Sequence, residues 1–212
     1  MKYLGSILFG LIAISGAWAE QAAPAKTAAT DITKWDLTVK DPNDPNDLMR
    51  TKWDSVAKVL QNKKLDEKAK ADIVDHIISP VFDFELMGKL ALGKTHWSKL
   101  NAEEQKTFTA LFVQRLKVSY RDKIMLYKDE QVQFQPAVQK KLMIQIPMTL
   151  ISNSKKTAIL YKLHKLDKTW KVYDVEIEGV SILLTYRSQF DDILARGTVK
   201  DLLSQLEKTS DS

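Results

Sequence analysis

The chain contains no cysteine, seven glycines, three histidines and no internal apolar run long enough to span a bilayer. Without cysteine there are no disulfides, no thiol nucleophile and no thiolate metal site, so the core must stabilise itself. His76, His96 and His164 are far apart and stand in no metal-ligand spacing; they read as surface or capping histidines. The few glycines form neither a phosphate-cradling loop nor a Gly-x-Ser-x-Gly elbow, which removes the usual supports of nucleotide binding and serine hydrolysis. Basic residues exceed acidic ones by five. They are spread along the chain without a five-residue basic block, and aromatics do not alternate with Lys or Arg, so nucleic acid is not an expected partner. A mild attraction to anionic membrane surfaces or acidic partners fits better.

The one apolar run lies at the start. Met1 and Lys2 are followed by an apolar stretch from Tyr3 to Ile14 and then Ser15-Gly16-Ala17-Trp18-Ala19. That is the order of a cleavable export signal, 1–19, with cleavage after Ala19 and an apolar region too short for a membrane-spanning helix. The expected location is the periplasm. Residues 20–42, rich in Ala, Thr, Gln and Lys at their start, read as a flexible leader. Residues 43–212 read as a single domain.

Asp41-Pro42-Asn43-Asp44-Pro45 breaks the chain, and a helix is expected from about Asn46 with Met49, Trp53, Val56 and Leu60 on one stripe. A second runs from about Asp66 to Ile78 and stops before Pro80. The segment Val81–Leu92 is strongly apolar and closed by Gly93. Asn101 and Glu104 form a capping pair that opens a long helix, in which Phe108, Phe112, Leu116, Tyr120 and Ile124 recur every four residues, widened by Leu111 and Tyr127. Beyond Lys128 the period becomes two. Four strands are expected, about 131–138, 141–151, 156–166 and 169–179, joined by short turns at Asn153-Ser154 and Asp167-Lys168. Pro147, with no N–H to donate, argues for a bulge or an edge. Two helices near 181–195 and 198–208 end the chain. The whole is an α+β layout, several helices on a curved antiparallel sheet of about four strands, with an apolar cavity between the layers.

Asp174, Glu176 and Glu178 share a strand face, and paired carboxylates can do acid/base work. Alternation also explains them as a solvated side. Trp170 and Val172 fall on that same face, however, so a bulge is expected partway, and a buried Asp174 would need a hydrogen-bond partner.

Phe82-Asp83-Phe84-Glu85-Leu86-Met87 through Leu92-Gly93-Lys94, Trp97, and Phe108-x-x-Leu111-Phe112 through Tyr120 resemble the first half of the toluene-tolerance auxiliary family. Val172-Tyr173-Asp174-Val175-Glu176-Ile177-Glu178-Gly179-Val180-Ser181, with Tyr186-Arg187-Ser188-Gln189-Phe190, resembles its C-terminal signature. The resemblance covers roughly residues 45–208. This family is the periplasmic phospholipid-binding component, MlaC, of the pathway that maintains outer-membrane lipid asymmetry. The resemblance implies a non-enzymatic carrier with no cofactor and no metal, holding phospholipid acyl chains between sheet and helices. It also implies partners: an inner-membrane ABC transporter with its substrate-binding subunit, and an outer-membrane lipoprotein complex. Carried onto this chain, the lipid-binding positions are Phe82, Leu86, Leu90, Phe108, Leu111 and Phe112 on the helices. On the strands they are Leu142, Ile144, Ile146, Ile159, Tyr161 and Leu163. Two other readings stay open, a small periplasmic hydrolase using Asp174 or Glu176 and a non-catalytic envelope adaptor with a filled core.

Overall fold

The computed structural model describes residues 32–125, 131–152 and 155–208. The expected export signal, the first part of the leader and the Asn153-Ser154 turn lie outside them, as do the side chains of Tyr120, Ile124 and Tyr127. Local chemistry sets the helix starts. Helix α1, Pro45–Gln61, begins with Asp44 accepting the Asn46 N–H and a proline in its first turn, where a missing N–H costs nothing. Helix α2, Glu67–Ile78, is capped by Asp66 on the Ala69 N–H. Helix α3, Phe84–Leu92, starts three residues later than the apolar run. The run first closes a 3-10 turn at Ser79–Val81; Phe82 then bridges Val172 in parallel, and Asp83 caps the helix at Leu86. Gly93 ends it at φ +79°, the left-handed region where a side chain is strained.

A short helix α4, Lys94–Trp97, leads into the long α5, Ala102–Met125. The expected capping pair forms in both directions: Glu104 N–H to Asn101 at 2.9 Å and Asn101 N–H to Glu104 at 2.9 Å. Helices α6, Ile182–Leu194, and α7, Val199–Lys208, close the described chain.

The sheet is wholly antiparallel, in the order β1-β3-β4-β5-β6, with β2 also on β3. Its strands are β1 Gln131–Phe134, β2 Val138–Lys140, β3 Met143–Ser152, β4 Lys155–Leu166, β5 Thr169–Ile177 and β6 Val180–Ser181. Six strands replace the expected four for two reasons. The first candidate breaks at Gln135-Pro136-Ala137, so β1 and β2 pair with successive parts of β3. The last candidate turns back at Glu178-Gly179, both at positive φ as a type I′ turn requires. Pro147 is neither at a bulge nor on an edge strand. Its carbonyl accepts the Gln135 N–H at 2.9 Å, so its N-terminal side faces the break between β1 and β2, where no ladder bond is owed.

Three apolar clusters result. One is formed by helices α3, α4, α5, α6 and α7 with Leu100 of the α4–α5 connection, built around Phe108, Phe112, Tyr186 and Phe190. A second joins the inner sheet face to α1 through Met49, Leu48 and Trp53. A third fills the space between α1 and α2. The described end of the expected leader packs on this third cluster through Trp35, with Asp36 ion-paired to Lys52 at 2.6 Å and the Leu37 N–H bonded to Ser55 Oγ. That stretch is held against α1 rather than free.

Candidate functional site

The inner face of the sheet carries Ile144, Ile146 and Met148 from β3, Tyr161 and Leu163 from β4, and Val172 and Val175 from β5. The two β5 residues cannot share a face by simple alternation. The register shifts opposite Lys162/Leu163: Leu163 pairs with Val172 and Lys162 with Asp174, leaving Tyr173 as the extra residue. This bulge moves the inward phase from Trp170 and Val172 to Val175 and Ile177.

Helix α1 lies over this face and reaches it through side-chain tips. The Trp53 indole N–H donates to the Tyr161 hydroxyl at 3.2 Å. Burial pushes the Tyr161 phenol up to about 12, with the Trp53 hydrogen bond pulling the other way. Between α1 and β1 is a cleft of about 250 Å³, lined by Arg50, Trp53, Asp54, Ala57, Val132 and Phe134. Arg50 sits at its rim, 5.5 Å above the Phe134 ring with a hydrogen bond to the Phe134 carbonyl. A larger depression of about 740 Å³ near the chain end, lined by Asp192, Ile193, Arg196, Gly197, Asp201 and Gln205, is open and charged. It has nothing to offer an apolar ligand.

The expected lipid-binding positions do not come together in one wall. Ile144, Ile146, Tyr161 and Leu163 are buried on the sheet face, and Ile159 is half-buried beside them. Phe108 and Phe112 lie instead in the helical cluster, fully buried and stacked at 6.0 Å, with Phe190 edge-on to Phe108 at 5.6 Å. Leu111 packs at the margin of that cluster, and Phe82 touches both clusters. Helix α3 turns Met87 and Ala91 into the helical cluster, which leaves Leu86 half-buried and Leu90 38 % exposed. Leu142 falls in the β2–β3 turn rather than on a strand. Residues not expected at the site come from α1 and β1: Met49, Trp53, Val132 and Phe134. The apolar stripe of α1 was the available signal for the first two.

The carboxylates are committed to structure. Asp174 is buried and accepts from Ser181 Oγ at 2.8 Å, from the Leu183 N–H at 3.4 Å and from Lys162 Nζ at 3.0 Å. Ser181 in turn caps α6 through the Leu184 N–H. Glu176 is ion-paired to the same Lys162. Burial alone would lower the Lys162 pKa; the hydrogen bonds and charges of Glu176 and Asp174 outweigh it and hold the ammonium above its ordinary value. His164 pairs with Asp83, the α3 cap, at 2.9 Å. Among the described residues no group of three His, Asp or Glu side chains could hold a metal ion. None of the described helices is long and apolar enough to cross a membrane.

An open antiparallel sheet with an apolar face covered by a helix through Met49, Leu48 and Trp53, and with its carboxylates tied into caps and ion pairs, has the build of a binding protein. A family model described as MlaC protein matches residues 50–208, and the chain belongs to that family. It is similar to toluene tolerance protein ttg2D of Pseudomonas putida, 24 % identical over 151 residues that cover 70 % of this chain and 67 % of that protein. Its fold also matches the solved structure of a phospholipid-binding protein from Ralstonia solanacearum in complex with a phospholipid. There the identity is 26 % and the TM-score 0.70, covering 77 % of this chain and 94 % of the other.

Proposed function

We propose that this chain is a carrier of glycerophospholipids that works in the periplasm after removal of residues 1–19. In this reading it takes up acyl chains between the inner sheet face and α1. It passes lipid between an outer-membrane lipoprotein complex and an inner-membrane ABC transporter with its substrate-binding subunit. The observation that carries the reading is the fold shared with a phospholipid complex, combined with an apolar sheet face that α1 covers through side-chain tips.

Size sets the next requirement. Drug-sized ligands fill about 300–1,000 Å³, so the cleft of about 250 Å³ is too small for two acyl chains. The chains enter only if α1 lifts from the sheet. Trp53 and Met49 would then exchange sheet contacts for lipid contacts, while the α1–α2 cluster keeps the helix attached. Energetics explain the need for partners. Hiding roughly 30 methylenes from water is worth about 24 kcal/mol at ~0.8 each, beyond the ~18–21 kcal/mol ceiling of non-covalent affinity. The relevant exchange is therefore bilayer to pocket. It is nearly balanced, and its direction comes from the docked complexes and their ATP use.

The test is extraction of the chain purified from a bacterial periplasm with organic solvent, followed by mass spectrometry. The expected result is phospholipid at one molecule per chain. A lipid-free extract together with no uptake from liposomes would overturn the reading. Turnover of an ester or glycoside substrate that is lost in Asp174→Asn would favour the hydrolase instead.

A further inference from the structure

The positive charge that is dispersed along the sequence is gathered by the fold at one end of the sheet. Met143 pairs with His164, which sets the β2–β3 turn beside the β4–β5 turn. One register row there crosses four strands: Lys140, Met143, His164 and Lys171. At about 4.8 Å between strands the row is roughly 14 Å wide. Residues 138–143 and 164–171 hold five lysines, Lys140, Lys141, Lys165, Lys168 and Lys171, against one carboxylate, Asp167; the whole chain has an excess of only five. The first four of these lysines are exposed. Lys171 reaches the Pro80 carbonyl, and Lys165 lies 5.4 Å from the Trp170 ring.

Neighbouring acids border this end without lying in either turn, and the two turns' own residues keep an excess of four positive charges. Asp83 is paired with His164. Asp41 and Asp44, in the loop that meets Trp170 through the Asn43 carbonyl, accept backbone N–H groups of Asn43 and Asn46. Among the lysines stand apolar side chains that the fold leaves in water: Leu142 at 87 % exposure, Met143 at 48 %, Val138 at 47 % and Leu166 at 43 %. They occupy two adjacent hairpin ends, where no interior could receive them.

Exposed Leu, Met and Val inside a ring of lysines fit the interface of an anionic bilayer. Lysines meet lipid phosphates while short apolar side chains reach the acyl boundary. An acidic protein surface would satisfy the lysines and leave Leu142 without a purpose. We propose that this end of the sheet, the paired β2–β3 and β4–β5 turns, is a contact surface for anionic phospholipid bilayers. It stands about five residues along β3 from the cleft and is independent of whether lipid is held inside.

Flotation of the purified chain tests the surface. Vesicles of equal parts phosphatidylglycerol and phosphatidylcholine are compared with vesicles of phosphatidylcholine alone. The chain is expected to float with the anionic vesicles and scarcely with the neutral ones. Each lysine removed near the surface weakens partitioning about fivefold, so Lys140→Gln with Lys168→Gln should weaken it roughly twentyfold or more. Leu142→Asp should weaken it about tenfold or more. All these positions are exposed, and unchanged thermal melting identifies variants that are folded. Absence of flotation, equal flotation with both vesicles, or variants that float like the parent overturns the proposal; binding to an acidic envelope protein without flotation does so as well. Lipid found by extraction in a chain that ignores vesicles would overturn this surface alone and leave the carrier reading intact.

Discussion

The Trp53 indole on α1 and the Tyr161 hydroxyl on β4, 108 residues apart, share one hydrogen bond of 3.2 Å at the seam where helix meets sheet. With the Arg50 hydrogen bond to the Phe134 carbonyl at the rim, the bond is a polar tie between α1 and the sheet among apolar contacts, and it makes the seam visible to titration.

Tyr161 should ionise late. Burial raises its phenol from 10.0 to about 12, so below pH 10 folded and unfolded chains both keep the proton and stability is unaffected. Between pH 10 and pH 12 the unfolded phenol loses its proton and the folded one does not, so stability falls across that window. Burial also raises the Tyr173 phenol, and an ultraviolet titration should show a late component near pH 12 that is missing in Tyr161→Phe. Trp53→Phe removes the bond that lowers the value and should delay ionisation further.

Tethering α1 to the sheet should stop lipid uptake. The chain has no cysteine, so Ala57→Cys with Val132→Cys across the cleft can be joined by a short, cleavable bifunctional thiol reagent. Uptake of phospholipid from liposomes is expected to cease with the tether and return once it is cut. Undiminished uptake in the tethered chain would show that lipid enters elsewhere.

The helical cluster and the sheet-face cluster should answer differently to mutation. Phe108→Ala removes a fully buried ring from the helical cluster and should cost about 3–5 kcal/mol, read by denaturant unfolding, with lipid per folded molecule unchanged. Ile144→Glu, on the sheet face beneath α1, should reduce the lipid recovered on extraction while the chain stays folded. If Ile144→Glu simply unfolds the chain, that face is packed core.

Asp174 should matter for folding and not for turnover. Asp174→Ala deprives Ser181 and Lys162 of a buried partner and should destabilise by about 3 kcal/mol, the low end for a broken buried pair because Lys162 retains Glu176. Ser181→Ala should cost about 1 kcal/mol through the lost α6 cap. Both are measured by thermal or denaturant melting.

Much of the architecture is legible in short-range patterns. The Asn101–Glu104 capping pair, the Gly93 stop and the period-two run of β3 are decided within a few residues, and each forms as read. That β5 changes face partway was also anticipated, because Trp170 and Val172 conflict with the acids in phase; what only pairing reveals is the place, with Tyr173 as the extra residue. The wall of the site was harder. Phe108 and Phe112 carry a core spacing that fits either the sheet-facing layer or a separate helical cluster, and the choice depends on where α3 and α6 dock against β5. The lysines at 140, 141, 165, 168 and 171 look scattered because strand pairing, not sequence, makes them neighbours.

The break at Gln135-Pro136-Ala137 has one more effect. Strands β1 and β2 border the sheet on one side, and because they are separate pieces of four and three residues, that border offers, among the described residues, no long straight edge onto which a second chain could add. Long exposed edges are what seed fibrils and swapped dimers. At this border the proline and its two neighbours, one of which, Ala137, packs against the apolar sheet-face cluster, guard that face against self-association.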